Sequence, residues 1–418
     1  MKKFLSFFLF LSVSMLLVPT NVFAIDKDRK EKAIIIVPGV LSSGLFYNGE
    51  KNYKYDENEV VWLGVGESKM GTIKSVGKLI MYYKDLFCDD NGIPVNDKIG
   101  PAVQRDYTRS PECDIAKYGI LNSCKKLVNE LDKNWGINNG GEYHIVLNSY
   151  DWRLSCAENA KLLTEKILKY DEVVLIGFSC GGLICCKSAT ELLAKKELSK
   201  IKAFISVGVP YQGAPSTLDV IENGMFNSDS AEDRNARFWG ISDIIKEISH
   251  NCQSTYELLP TKNYFERGKG YICENSDQNL DYSQTLEQLR TRNWSKKKDG
   301  TNKDFYEKAE KFHEGLYVNG KHIVNFMNSY FIAGIGLKTI SKILVNKASN
   351  DTAKVIEYAD GDGTVPFYES AVPNGKTDED IMKVNSKHNE ILNDENALKC
   401  IVNIISKVKS IQTCNLAA

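Results

Sequence analysis

A Gly-x-Ser-x-Gly pentapeptide at residues 177–181 is the segment whose residue types and spacing most directly indicate chemistry. It follows an apolar run at 173–176 and precedes a helical pattern that starts at Leu183. A strand–turn–helix of this kind is a nucleophile elbow, which lifts the serine hydroxyl above a sheet and directs the next backbone N–H toward a developing oxyanion. The pattern predicts Ser179 as a nucleophile and the Cys180 N–H as an oxyanion donor. The alternative is a glycine-rich turn with a solvated serine.

A base must accompany this serine, because a hydroxyl is a weak nucleophile until its proton is removed. In folds that use the elbow, the chain order is serine, acid, histidine. His388 fits this order, because it follows the last strand pattern, residues 381–384, by a short loop. His144 precedes Ser179 and lies inside a strand pattern, so we expect it to be packed. The other histidines fall in a polar insertion: His250, His313 and His322.

The acid should follow the strand pattern at 355–358, where two aspartates stand close together. Asp362 lies between Gly361 and Gly363, which let a loop turn sharply and aim the carboxylate inward. Its role would be to fix the imidazole tautomer and stabilise the imidazolium. Asp360 is the rival. Calcium binding by this loop is a third reading, although the EF-hand spacing is absent.

A second oxyanion donor is expected in the loop after the first strand pattern, residues 33–37. The loop begins at Pro38 and Gly39. We predict the N–H of Val40 as this donor, with Leu41 as the next choice. A plain tight turn without a catalytic role is the alternative.

These residues need a scaffold, and the chain between 140 and 210 supplies its pattern. Strand patterns at 143–147, 172–176 and 203–207 alternate with helix patterns at 157–169 and 183–193. Such alternation is typical of a doubly wound, mostly parallel α/β sheet. The rhythm returns in strand patterns at 330–333, 355–358 and 381–384.

We therefore predict one α/β domain that spans residues 25–418. Its core covers about 33–42, 120–210 and 326–410, and two polar, irregular stretches interrupt it at about 43–119 and 211–325. Stretches this long are not ordinary connections, so we interpret them as cap or lid insertions.

Composition excludes several classes of function. The chain has 418 residues, 43% of them hydrophobic, and 53 Lys+Arg against 54 Asp+Glu give a net charge of −1. Nucleic-acid binding requires a basic excess that this chain lacks, so we expect no nucleic-acid partner. The 10% of aromatic residues exclude a largely disordered chain.

The first residues match a secretory signal. Lys2 and Lys3 precede an apolar run at 4–18, and a small-residue site at Ala24 predicts cleavage before Ile25. The run is shorter than the roughly 20 residues that span a bilayer, which disfavours the alternative of a membrane anchor. We predict residues 1–24 as a cleaved signal peptide and a secreted or cell-surface protein.

Eleven cysteines make disulfides possible after export, although an odd count leaves at least one thiol free or intermolecular. Three close pairs could bridge, but spacing does not fix the connectivity: Cys88/Cys113, Cys252/Cys273 and Cys400/Cys414. No Cys/His pattern of zinc spacing occurs. We predict no metal and no organic cofactor.

Taken together, these segments resemble the lecithin:cholesterol acyltransferase family of α/β-hydrolases, which includes lysosomal phospholipases and bacterial relatives. The resemblance runs from about residue 33 to 405. It is carried by Ile36-Val37-Pro38-Gly39, Tyr150-Asp151-Trp152-Arg153-Leu154, the Ser179 elbow, Gly213-Ala214-Pro215, Ser254-Thr255-Tyr256-Glu257-Leu258-Leu259-Pro260, Gly361-Asp362-Gly363-Thr364-Val365 and His388.

The resemblance implies an α/β-hydrolase fold with Ser179, Asp362 and His388 as the catalytic triad. It also puts Val40 and Cys180 on the oxyanion positions. The residues around the serine depart from the family, which usually has His before it and Met after it; here they are Phe178 and Cys180. Asp151 and Arg153 are expected to form a structural ion pair beside Trp152.

The implied function is an exported serine esterase or lipase that cleaves lipid acyl esters through an acyl-enzyme. Transfer of the acyl group to an alcohol, an O-acyltransferase activity, would follow from the same intermediate. The near-neutral charge fits an uncharged or zwitterionic ester, and transient contact with a lipid surface is expected. Two alternatives stay open at this point: a serine peptidase or amidase, and a non-catalytic surface-binding protein on the same scaffold. The oligomeric state is open as well.

Overall fold

The computed structural model describes residues 30–62, 77–101, 124–225, 240–268, 270, 272–275, 278–345 and 354–416, with no side chains described at 273–275, 278 and 409–416. The predicted signal peptide and its cleavage site at Ala24 lie outside these residues. From Glu31 onward the chain forms one compact unit.

The strands of the described chain, in order, are Lys32–Val37 (β1), Leu45–Tyr47 (β2), Val60–Trp62 (β3), Ile99–Pro101 (β4), Tyr143–Leu147 (β5), Glu172–Phe178 (β6), Ile201–Val207 (β7), Ile272–Asn275 (β8), Gln278–Asn279 (β9), Tyr317–Val318 (β10), Lys321–His322 (β11), Ser329–Gly334 (β12), Leu337–Leu344 (β13), Lys354–Gly361 (β14) and Ile381–Val384 (β15). The helices are Lys125–Trp135 (α1), Cys156–Ile167 (α2), Cys180–Ala194 (α3), Ser216–Asn223 (α4), Ile241–Ser249 (α5), Gln253–Glu257 (α6), Lys262–Gly268 (α7), Tyr282–Arg290 (α8), Phe305–Glu314 (α9) and Glu395–Leu416 (α10).

The central sheet contains six strands in the spatial order β15-β12-β7-β6-β1-β5, and every neighbouring pair is parallel. Its central strands are apolar along their length because helices cover both faces of the sheet. In β1, residues 33–37 are fully buried. The sheet is the mostly parallel, doubly wound arrangement expected from the alternating pattern.

The two faces of the sheet divide the hydrophobic core. Side chains alternate along a strand, so β1 sends Ala33, Ile35 and Val37 to one cluster and Ile34 and Ile36 to the other. Helices α2 and α3 pack on the first face, and α1 and α10 pack on the second. The strand ends between these layers position the candidate site.

Strand β14 corrects one expectation, since residues 355–358 do not continue the central sheet. β14 pairs antiparallel with β13, in a separate sheet of order β14-β13-β8-β9. Burial alternates along β13, and most of β14 is exposed. Half-exposed strands of this kind suit an antiparallel sheet, whereas the central parallel sheet needs strands buried on both faces.

The two predicted insertions contain the remaining elements. Strands β2, β3 and β4 form a small antiparallel sheet in the first stretch, and a helical segment at 77–82 lies between β3 and β4 in the chain. Helices α4 to α9 belong to the second stretch, and several of them share a third hydrophobic cluster with β13 that includes Leu218, Tyr264 and Ile343. None of the helices in the described ranges combines the length and apolar character needed to cross a bilayer.

Candidate active site

The turn between β6 and α3 holds Ser179 in a strained backbone conformation. Its φ of 53° and ψ of −129° are uncommon for a residue with a side chain. The Ser179 N–H donates to the carbonyl of Val207 at 2.9 Å, and the Gly182 N–H donates to the carbonyl of Ser179 at 2.9 Å. These two bonds hold the serine at the start of the helix.

The two glycines of the pentapeptide are required by close backbone approach. A Cβ atom on Gly177 would lie 2.6 Å from the Cα atom of Gly182. A Cβ atom on Gly181 would lie 2.2 Å from the carbonyl oxygen of Val37. Any larger residue would force the helix away from the sheet and displace Ser179.

Three separate elements bring the predicted serine, histidine and aspartate together. The Ser179 Oγ lies 2.9 Å from His388 Nε2, and His388 Nδ1 lies 2.7 Å from Asp362 Oδ2. His388 begins a short 3₁₀ turn after β15, and Asp362 directly follows β14. The backbone N–H of His388 also donates to the Asp362 carbonyl at 2.9 Å. All three side chains are buried, so solvent competes little for these contacts.

The Asp362 carboxylate is held by its own loop. Its Oδ1 accepts hydrogen bonds from the N–H groups of Thr364 at 2.9 Å and Val365 at 2.7 Å, which leaves Oδ2 directed at His388. The rival Asp360 is exposed, and its Oδ1 accepts from the Gly336 N–H at 2.7 Å. The structure therefore brings Asp362, and not Asp360, to the histidine.

Both predicted oxyanion segments lie at the serine. Val40 and Leu41 line the cavity in front of Ser179, and Cys180 is the first residue of α3. Leu41 has a left-handed φ of 62°, and its carbonyl accepts from Trp62 Nε1 at 3.0 Å. In the described part of the chain, the N–H groups of Val40, Leu41 and Cys180 have no protein acceptor. They can therefore donate to a bound group.

Two aromatic residues at the site were missed by sequence reasoning. Phe178, noted only as a departure from the family, packs its ring against the His388 imidazole with centroids 5.1 Å apart at 31°. Trp62, the last residue of β3, donates its indole N–H to the Leu41 carbonyl and so fixes the loop that contains Leu41. Phe178 is adjacent to the serine and could have been flagged, whereas nothing in the sequence links Trp62 to residue 41.

A cavity of about 500 Å³ opens in front of the serine. Ser179, Asp362 and His388 are among the residues that line it. Most of the remaining wall is apolar and includes Trp62, Val220, Met225, Ile245, Ile248 and Leu258. The arrangement suits a hydrocarbon chain whose polar end meets the serine.

The predicted ion pair beside Trp152 is confirmed. Arg153 Nε lies 2.9 Å from Asp151 Oδ1 and Nη2 lies 2.7 Å from Oδ2, a two-point contact away from solvent. The Trp152 indole N–H donates to the carbonyl of Ser43 at 3.2 Å. These contacts join the first insertion to the wall of the cavity.

The remaining histidines have structural surroundings. Burial lowers the pKa of His250 and His313 to about 4 and that of His322 to about 3, so these rings stay neutral near neutral pH. His313 Nε2 lies 2.7 Å from the Glu257 carbonyl. His144 lies in β5, 2.7 Å from Glu31. None of these four histidines lines the cavity at Ser179.

Among the described side chains, seven cysteines are free thiols: Cys88, Cys156, Cys180, Cys185, Cys186, Cys252 and Cys400. Each of the three candidate bridges thus has one member that is unbridged, and the other members are not among the described side chains. Cys156 and Cys180 approach to 3.4 Å between sulfur atoms beside the nucleophile. No group of three or more potential metal ligands occurs among the described residues.

Three comparisons relate the chain to known proteins. A family model described as lecithin:cholesterol acyltransferase matches residues 112–322. A chain in the crystal structure of the Tle4–Tli4 complex superposes with a TM-score of 0.56 at 12% identity, over 91% of this chain and 98% of that chain. A carboxyl esterase of metagenomic origin aligns with a TM-score of 0.30 at 12% identity, over 86% of this chain and 65% of that chain. No curated protein sequence matches significantly.

The structural similarity at this identity concerns the fold alone. Together with the family match and the six-stranded parallel sheet, it identifies an α/β-hydrolase fold. The fold class predicted from the sequence is confirmed.

Proposed function

Since this chain belongs to the lecithin:cholesterol acyltransferase family, we propose that it is an exported serine esterase that cleaves lipid acyl esters through an acyl-enzyme. Family membership makes it an acyl-ester hydrolase or acyltransferase. The serine mechanism, the lipid substrate and export are the proposed parts. One observation carries the mechanism: His388 lies between the Ser179 hydroxyl and the Asp362 carboxylate, at 2.9 Å and 2.7 Å.

The first half-reaction forms the acyl-enzyme. The Ser179 Oγ attacks the ester carbonyl carbon while its proton passes to His388 Nε2. Asp362 stabilises the resulting imidazolium through Nδ1. The N–H groups of Val40 and Cys180 stabilise the oxyanion, with Leu41 as the next candidate. When the tetrahedral intermediate collapses, the bond to the leaving oxygen breaks and His388 returns the proton to the departing alcohol.

The second half-reaction releases the acyl group. A water molecule or an alcohol loses its proton to His388 and attacks the acyl carbon, and Ser179 leaves with that proton. Water gives a free acid and an alcohol gives a new ester, so hydrolysis and O-acyl transfer share one intermediate. Product analysis with and without an added alcohol separates the two outcomes.

The cavity supports a lipid substrate over a peptide. Its apolar wall offers few hydrogen-bond partners for a peptide backbone, whereas a fatty acyl chain requires only apolar contact. The buried and correctly ordered serine, histidine and aspartate also favour an enzyme over a retired binding scaffold. An ester compared with its matched anilide distinguishes an esterase from an amidase.

The principal test replaces the nucleophile. Ser179→Ala should lower kcat on p-nitrophenyl esters by at least about 1,000-fold, because no other group forms the acyl-enzyme. It should also abolish labelling by a fluorophosphonate probe. Ser406→Ala is the matched control, since Ser406 is an exposed serine of α10 whose hydroxyl donates to its own helix at the Val402 carbonyl.

The outcomes are distinct. Full activity of Ser406→Ala with loss in Ser179→Ala supports the proposal. Turnover or labelling of Ser179→Ala at the wild-type level would contradict the serine mechanism and leave only the family-level activity.

A further inference from the structure

Two lysines stand out among the residues that line the catalytic cavity. Its charged lining residues in the described part of the chain are Lys338, Lys387 and Asp362. Asp362 is buried and bonded to His388 and to two backbone N–H groups. Both lysines are exposed at the cavity. Among the described residues, the accessible charge of the cavity lining is therefore positive.

The lysines are tied to the catalytic loops. Lys387 directly precedes His388, and Lys338 is the second residue of β13. The Gly363 N–H donates to Thr339 Oγ1 at 2.8 Å, which joins the start of β13 to the loop that carries Asp362. Because His388 protonates the leaving alcohol in the proposed mechanism, we place the two lysines, which adjoin the loops of His388 and Asp362, on the leaving-group side of the ester.

Neither lysine forms an ion pair with a described carboxylate. Asp360 stands opposite Lys338 in the β13–β14 register, but its Oδ1 accepts from the Gly336 N–H. Two nearby lysines do form ion pairs: Lys342 lies 2.8 Å from Glu357, and Lys383 lies 3.0 Å from Asp378. The charges at the cavity are thus available to a ligand.

The cavity lining combines an apolar wall with two exposed positive charges. Its apolar wall suits the acyl chain, and the lysines face the alcohol portion. A quaternary or primary ammonium on that alcohol would be repelled by the two lysines. Among the described residues, the lining offers no accessible carboxylate to balance this repulsion. A phosphate headgroup that carries no ammonium group would be attracted to both lysines.

We propose that Lys338 and Lys387 form a subsite for a phosphate on the leaving alcohol, so that the enzyme prefers acyl esters with a net anionic headgroup over zwitterionic ones. The proposal rests on the function proposed above and adds the substrate class. Asn389, which also lines the cavity, provides a neutral hydrogen-bond donor beside the two charges.

The test compares two short-chain phospholipids with the same acyl groups. Dihexanoyl phosphatidylglycerol and dihexanoyl phosphatidylcholine are supplied below their critical micelle concentrations, so attraction to a charged surface does not contribute. The measured quantity is the ratio of kcat/KM for the anionic lipid to that for the zwitterionic lipid. We expect roughly a tenfold preference for the anionic lipid at low salt and a smaller one at high salt, because salt screens exposed charges.

Variants locate the preference. Lys338→Gln and Lys387→Gln should each lower the ratio, mainly through KM, and the double variant should bring it close to one. The double Glu variant should favour the zwitterionic lipid. Lys399→Gln, an exposed lysine of α10, is the control and should keep the wild-type ratio. Fluorophosphonate labelling of each variant reports an intact nucleophile.

The results separate two failures. A wild-type ratio near or below one, or a double variant that keeps the preference, would overturn the subsite while hydrolysis of p-nitrophenyl esters still supports the serine esterase. If Ser179→Ala hydrolyses the lipids at the wild-type rate, the proposed function fails instead.

Discussion

At the scale of single residues, the site depends on which carboxylate reaches His388. Asp360 and Asp362 are separated by one glycine, and both follow the same strand pattern. The sequence could only rank them. In the structure the N–H groups of Thr364 and Val365 fix the Asp362 carboxylate toward the imidazole, whereas Asp360 faces solvent. The difference arises from backbone groups of the loop.

The two aspartates give a matched pair of variants. Asp362→Asn should lower kcat about 10,000-fold, because an amide can present its N–H to His388 and favour the wrong imidazole tautomer. Asp360→Asn should change kcat by less than about threefold, since the amide oxygen can still accept from Gly336. Kinetics on a p-nitrophenyl ester measure both. A larger loss in Asp360→Asn than in Asp362→Asn would contradict the assignment.

At the scale of elements, one buried acid links α6 to α2. The Glu257 carboxylate accepts from the Ser155 hydroxyl and from the Cys156 N–H, each at 2.6 Å, so it caps the start of α2. Burial raises its pKa from 4.5 to about 7 despite these bonds. The sequence placed Glu257 in a family segment without indicating this contact.

This raised pKa predicts how stability depends on pH. The folded chain holds the Glu257 proton more tightly than the unfolded chain does. The resulting stabilisation is complete below about pH 4.5 and is lost as the pH rises to about 7. In that window wild type should lose up to about 1.4 kcal/mol per pH unit relative to Glu257→Gln. Urea unfolding at several pH values measures the difference.

A control lies in the first turn of the same helix. Glu158 is exposed, and its charge is the smallest of the contributions that raise the pKa of Glu257, so Glu158→Gln should lower the wild-type slope only slightly. A constant difference between Glu257→Gln and wild type from acid to alkaline pH would contradict the raised pKa.

The elements also explain the error at residues 355–358. The pattern of β14 was compatible with a further strand of the α/β rhythm, but its partner β13 packs with helices of the second insertion through Ile343. Sequence periodicity reports which faces are apolar, and it does not report which sheet a strand joins. That choice is made by long-range packing.

At the scale of the whole molecule, export remains a proposal that a mass measurement can check. Protein recovered from the culture medium should begin at Ile25, because cleavage follows Ala24. Ala24→Lys puts a charge at the cleavage site and should keep the leader attached. Intact mass spectrometry of both forms distinguishes them. Wild-type protein that retains residues 1–24, or that stays inside the cell, would contradict the proposal.

Two of the buried cysteines do not need to form disulfides even in an exported protein. Cys185 and Cys186 are fully buried, and burial raises the pKa of both thiols, which disfavours the reactive thiolate. Buried thiols of this kind behave as small apolar side chains. An extracellular location permits disulfides, and the large core does not require these residues to form them.

The net charge of the whole chain does not predict the local charge at the cavity. The value of −1 for the whole chain fits an uncharged or zwitterionic ester. Lys338 and Lys387 have no acid partner among the described residues, unlike the nearby Lys342 and Lys383, so the local charge at the cavity differs from the average.

The sequence by itself determined the nucleophile elbow, the order of serine, acid and histidine, and the alternating strands and helices of the core. These follow from local rules: close backbone approach requires Gly177 and Gly181, and buried parallel strands require continuous apolar runs. Only the tertiary structure decided between Asp360 and Asp362, joined Trp62 to the Leu41 loop, and turned two distant lysines toward one cavity. Such contacts join residues far apart in the chain, and local patterns carry no information about them.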